Sequence, residues 1–316
     1  MKKVLYIYTS ILLLAITFQS CDDQEEVTVP DFKVQLASKT VKVGEEVEFK
    51  VENAPNFLYF FAGDFGHKYK YKDRTNAEGT VTMSFLNSQK WGLGSNSEGT
   101  LTVWYSKDYD GSGTVESVNA ANWTEISERF NISTLYDFSL QESGVVDITD
   151  LADGNNIYFA FKYFCDNTAE RPAEWYLDDL NIKMVVEDAP APLFVASESS
   201  PGFKPVDAQG VVSGWNANKW YWSADKGDNG LWRMRGQVKE GGEWIVNEDW
   251  LITNAINLTK VAPDKGTPLK TYSDKLESFT YTYSKPGTYT VTLIGNNTTI
   301  YGNQEKITEL TIEVTE

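Results

Sequence analysis

FTYTYSKPGTYTVTL, residues 279–293, alternates rings or branched apolar side chains with threonine on both sides of a Pro286–Gly287 turn. Side chains of an extended strand point alternately to its two faces, so Phe279, Tyr281 and Tyr283 share one face. Tyr289, Val291 and Leu293 share one face of the next strand. Pro286 presets a turn conformation and Gly287 accepts backbone angles closed to other residues. The same period of two recurs at Val41 and Val43, at Val47, Phe49 and Val51, and at Leu310, Ile312 and Val314. No window of useful length keeps an apolar period of 3.6. Each run is short and bounded by Gly, Pro, Asn or Asp, so the chain reads as all-β, with antiparallel strands in packed sheets.

Two distant segments belong together on this reading. VKVGEEVEFKVENAPNFLYFFAGDFG (41–66) resembles the first half of a PKD-like immunoglobulin fold, and the segment 279–314 resembles its second half. Neither half supplies the seven or so strands of a sandwich. One discontinuous PKD/Ig-like β-sandwich is therefore expected over 32–74 plus 275–316, with 75–274 inserted into it. Within the insert, TLTVWYSKDYDGSG (100–113), NNIYFAFKYF (155–164) and EWYLDDLNIK (174–183) resemble strands of choice-of-anchor and cleaved-adhesin domains. NEDWLITNAINL (247–258) resembles a strand that comes first in those domains, which implies a permuted order. The insert is thus expected to be a jelly-roll-like, galactose-binding-like β-sandwich. Residues 187–205 hold four prolines and read as a surface connection.

MKKVLYIYTSILLLAITFQS (1–20) has a basic start and an apolar stretch too short for a comfortable membrane span. With Cys21 next, it resembles a bacterial lipoprotein signal, and lipidation of Cys21 is expected. The acidic run Asp22, Asp23, Gln24, Glu25, Glu26 opens a spacer over 21–31 and resembles the signal that exports Bacteroidetes lipoproteins. The expected place is the outer membrane, lipid-anchored and facing outward. The whole resembles a Bacteroidetes surface-lipoprotein family linked with polysaccharide-utilisation systems. That resemblance implies a glycan ligand and an outer-membrane importer as partners. An adhesion or structural protein is the alternative, and a glycoside hydrolase a further one.

The net charge of −17, or −19 without Lys2 and Lys3, argues against nucleic acid and anionic membrane faces as partners. It also disfavours strongly acidic polysaccharides unless a local basic patch exists. Lys68, Lys70, Lys72 and Arg74 form one dense basic cluster, spaced as on a solvated strand face.

Catalysis is poorly supplied. His67 is the only histidine and sits after a Gly63–Gly66 turn, beside lysines. Paired carboxylates of the glycosidase kind have no identifying spacing, and no enzyme activity and no required cofactor are expected. Asp108 and Asp110, with Gly111 and Gly113 following, resemble the start of a structural calcium loop, although a plain Asp-Gly hairpin explains them too. Cys165 follows an aromatic strand and reads as a buried thiol.

GWNANKWYWSADKGDNGLWRMRG (214–236) is the best candidate for binding. An extended 219–223 puts Trp220 and Trp222 on one face and Tyr221 on the other, with Asp225 and Asn229 near by. Sugar rings offer an apolar C–H face and a rim of hydroxyls, which aromatic platforms and Asn, Asp or Arg side chains match. Trp91, in QKWGLGSN (89–96), is a second candidate. Trp104, Trp123, Trp175 and Trp250 read as structural.

Overall fold

The computed structural model describes residues 26–92, 100–166, 170–187, 189–197, 202–209, 219–224, 230–236, 239–240 and 242–316. The leader and Cys21 lie outside them. The chain is all-β and divides into two compact units. One joins the residues up to Asp73 with Pro263–Glu316, and the other is Arg74–Ala262.

The first unit is an Ig-like sandwich. Its smaller sheet places Glu46–Glu52 between Lys33–Leu36 and Ser278–Thr282. The larger one runs Thr40–Lys42, Gly302–Thr315, Gly287–Thr299, Phe57–Phe61, Thr267–Lys270. Strict alternation of Glu46–Glu52 buries Val47, Phe49 and Val51 and exposes the four residues between and beside them. Val291, Leu293, Ile312 and Val314 meet them from the opposite sheet. Val43, expected on the buried face, is exposed in a turn. The chain re-enters this unit at Pro263 rather than 275, because Thr267–Lys270 pairs with Phe57–Phe61. The Lys68–Arg74 segment is not a strand: Tyr69–Tyr71 forms a single 3-10 turn, and Lys70 and Lys72 lie over the rings of Tyr71 and Tyr69.

Gly63 makes the close approach that lets this sandwich shut. Its φ is +87°, and a Cβ there would run into the Thr290 backbone. Gly63→Ala is expected to cost this unit about 1–3 kcal/mol. All ten tryptophans lie in Arg74–Ala262, so the loss should appear in tyrosine circular dichroism and leave the tryptophan-fluorescence transition in place.

The second unit is a jelly-roll-like sandwich of two sheets. One runs Phe203–Gln209, Asn247–Thr253, Asn156–Cys165, Leu101–Ser106, Thr124–Glu125. The other runs Tyr221–Ser223, Leu231–Met234, Glu174–Val185, Thr80–Lys90, Gln141–Glu142. Leu193–Ser197 also pairs with Glu174–Val185, so part of the presumed surface connection is strand. Val81, Met83, Phe85, Phe159, Phe161, Trp175 and Leu251 are among the apolar residues that fill the space between the sheets. Behind the first sheet, Trp104, Trp123 and Trp250 cluster under the short helix Val115–Ala120. The ends of this unit are tied to each other. Asn76 bridges Lys260, and the Val261 and Ala77 amides donate to the Thr75 and Thr259 carbonyls, both at 2.9 Å.

Candidate functional site

Residues opposite one another across antiparallel strands share a face. In the sheet containing Glu174–Val185, one such row is Trp222, Trp232, Leu177 and Asn87, and it faces the core side. The neighbouring row, Tyr221, Arg233, Tyr176 and Ser88, faces the other way. Glu174 and Lys90 pair two rows further on and so share this face, the row between them, Met234, Trp175 and Gln89, pointing to the core. This second face carries the candidate site.

Phe138 lies over Tyr176 with ring centroids 4.3 Å apart. The segment that carries it is tied down by Asn87, whose amide donates to the Asn131 and Gln141 carbonyls and whose oxygen accepts from the Ser133 amide. Lys90 Nζ is 5.3 Å from the Phe138 ring and 4.5 Å from the Trp91 ring, and the Arg171 guanidinium is 4.7 Å from Trp91. Arg235 lies 5.9 Å from the Tyr221 ring. Trp91 and Phe138 both hold positive φ, +70° and +76°. Such angles are uncommon for bulky residues and cluster at functional sites.

Charge on this face is uneven. Glu174 is buried, paired with Arg233, and accepts from the Tyr176 hydroxyl. Burial works against the Arg233 charge, but Glu174 and the tyrosines outweigh it and hold the guanidinium above its usual value. Burial, then the bond to Glu174, pushes the Tyr176 hydroxyl up, so it stays a donor. The Arg233 charge is therefore matched, whereas Lys90, Arg171 and Arg235 contact rings. Four buried polar atoms here have no hydrogen-bond partner: Arg171 Nε, Arg235 Nε, the Tyr221 hydroxyl and the Ser88 hydroxyl. Ser88 is 0% exposed. Buried donors left unpaired cost roughly 1–3 kcal/mol each, so this face has donor capacity that the described residues do not use.

A family model described as a domain of unknown function (DUF5017) matches residues 20–203. The chain belongs to this family. No curated protein matches it. The DUF5017 match contains Lys90, Trp91, Phe138, Arg171, Glu174 and Tyr176, while Tyr221, Arg233 and Arg235 lie beyond it.

The platform expected from Trp220 and Trp222 does not form. Trp220 is 1% exposed and belongs to the core between the sheets, so its face cannot meet a ligand. Trp222 is 42% exposed but stands at the core-side rim. It packs edge-on against Trp232, which in turn touches Phe203. Asp225 and Asn229 lie outside the described residues. Trp91 does belong to the site and is 45% exposed. Sequence reasoning missed Tyr221, Arg233 and Arg235 as a group, although the alternation Trp232-Arg233-Met234-Arg235 places both arginines on one face.

The Asp108–Asp110 loop is occupied by its own donors. Asp108 accepts from the Ser106 hydroxyl, the Asn122 amide and the Asn122 side chain, at 2.5–2.8 Å, and Asp110 accepts from the Ser112 amide. N–H groups point where a cation would sit, which favours the hairpin over a calcium loop. Among the described residues no three His, Cys, Asp or Glu side chains group as metal ligands. His67 Nδ1 is 3.0 Å from Asp64, which also accepts from the Tyr281 hydroxyl; the group serves the turn.

Proposed function

We propose that this chain is a glycan-binding protein, tethered outside the cell by a lipid on Cys21, that captures oligosaccharide for an outer-membrane importer. The observation that carries the binding step is the face formed by Tyr221, Phe138 and Trp91, with Tyr176 buried beneath Phe138. It sets rings beside hydrogen-bonding groups that lack partners, the mixture that suits a sugar's C–H face and hydroxyl rim. The leader and the acidic run after Cys21 support the address. A binding rather than hydrolytic role is supported by the acids themselves. Asp207 and Asp249 do face each other across strands, but Asp249 is fully enclosed in the core.

Incubating the protein with an immobilised glycan panel tests this. Retention without release of smaller sugars is expected, and released sugar would overturn it in favour of a hydrolase. Trp91→Ala is expected to weaken retention roughly tenfold or more, as for a central aromatic contact. Its melting temperature should be nearly unchanged, because the ring is 45% exposed and lies outside the core.

A further inference from the structure

We infer that this face selects a sugar bearing a carboxylate, a uronic acid residue, and that Lys90, Arg171 and Arg235 hold the carboxylate. The inference rests on the glycan-binding reading and names the class of glycan.

The chain as a whole repels anions, with a net charge of −17. Three cations nevertheless lie on one sheet face, where Glu174, the one buried acid there among the described residues, is already matched by Arg233. Lys90 sits on Phe138 and Trp91, Arg171 on Trp91 and Arg235 on Tyr221, all by ring contacts. Such contacts contribute about 0.5–1 kcal/mol at exposed sites and leave the N–H groups free to bond elsewhere. Guanidinium and ammonium groups only donate. The Nε atoms of Arg171 and Arg235 are buried without an acceptor, and so are the hydroxyls of Tyr221 and Ser88. A neutral sugar brings hydroxyls, which would satisfy the tyrosine but bring no negative charge to the cations. A uronic acid brings a ring face for the aromatics, hydroxyls for Tyr221, and a planar carboxylate that matches a guanidinium fork with two parallel bonds.

The test uses the full chain and oligomers of galacturonate, glucuronate and mannuronate, each beside its carboxyl-reduced neutral counterpart and beside sulfated and plain neutral oligosaccharides. At least one uronate oligomer should bind, its reduced counterpart at least tenfold more weakly, and added salt should weaken the uronate complex but not a neutral one. Arg171→Gln with Arg235→Gln should erase the preference for the acid and keep residual binding to the reduced form. Lys90→Met gives an independent variant should that pair not fold, and the comparison of acid with reduced glycan needs no variant. Equal binding of acid and reduced forms, or preference for the sulfated glycan, overturns the uronate assignment and leaves the glycan-binding reading standing. Retention of no glycan of any kind overturns both.

Discussion

Phe49→Ala is expected to remove about 3–5 kcal/mol from the Ig-like unit, the usual loss when a buried phenylalanine is truncated. Phe49 has no exposure, stacks on Phe279 at 4.7 Å, and meets the edge of Phe60 at 5.3 Å. Phe279 is its direct cross-strand partner and Phe60 belongs to the other sheet, so one ring joins both sheets and both segments of the unit. Removing it opens a cavity whose walls are other rings, which cannot collapse inward without leaving their own packing. Tyrosine circular dichroism should show this unit melting at much lower denaturant, while tryptophan fluorescence, confined to the insert, keeps its midpoint. An equal shift of both transitions would show that the two units do not unfold separately.

Asp249→Asn is expected to stabilise the insert at neutral pH, against the usual direction for a core substitution. Neither oxygen of Asp249 has a hydrogen-bond partner, and the side chain is enclosed. Burial, followed by the charge of Asp207 across the strand pair, raises its carboxyl well above the ordinary range; Glu248 adds to this, while Asn247 and Lys219 only partly oppose it. Tyr163 is its other cross-strand neighbour, and burial first, then Cys165 and Asp249, raises that hydroxyl too. The sign follows from the proton count. Below the ordinary carboxylate value both folded and unfolded chains hold the proton. As pH rises above about 4 the unfolded chain loses it first. Stability then falls by about 1.4 kcal/mol per pH unit until the folded group titrates. Asparagine has no such proton. The difference in unfolding free energy between variant and wild type, followed by tryptophan fluorescence from about pH 4 to 8, should grow with pH. A difference that stays flat would mean that Asp249 is ionised in the fold.

The Ig-like unit was the more legible part, because its strands alternate cleanly and a period of two states both element type and face. Glu46–Glu52 and the run to Leu293 carry that signal without interruption. Its limits were harder to read: Thr267–Lys270 has a proline and little alternation, so only pairing with Phe57–Phe61 assigns it. In the insert, the density of tryptophan points to a stretch that does border the candidate face, but through other rings. Trp220 and Trp222 do share a side, but a lone sequence cannot say which side of a two-faced strand meets the core. Here tryptophan went inward and Tyr221 outward. Trp91 was recognisable from its glycine-rich surroundings. Its partners Arg171, Phe138 and Lys90 are far apart in the chain or beside it, and only strand register gathers them.

The ends of Arg74–Ala262 are hydrogen-bonded to each other, and this governs the order in which the molecule can be assembled. The strands Glu46–Glu52 and Ser278–Thr282 cannot find each other until nearly the whole polypeptide exists, and searching across so long a separation is slow. Once the intervening sandwich has formed, its pinched base acts as a clip, and the separation to be searched shrinks from more than two hundred residues to about forty. Each halving of such a loop saves roughly 0.6 kcal/mol of chain entropy. A sandwich that closes its own ends in this way draws the two halves of its host together.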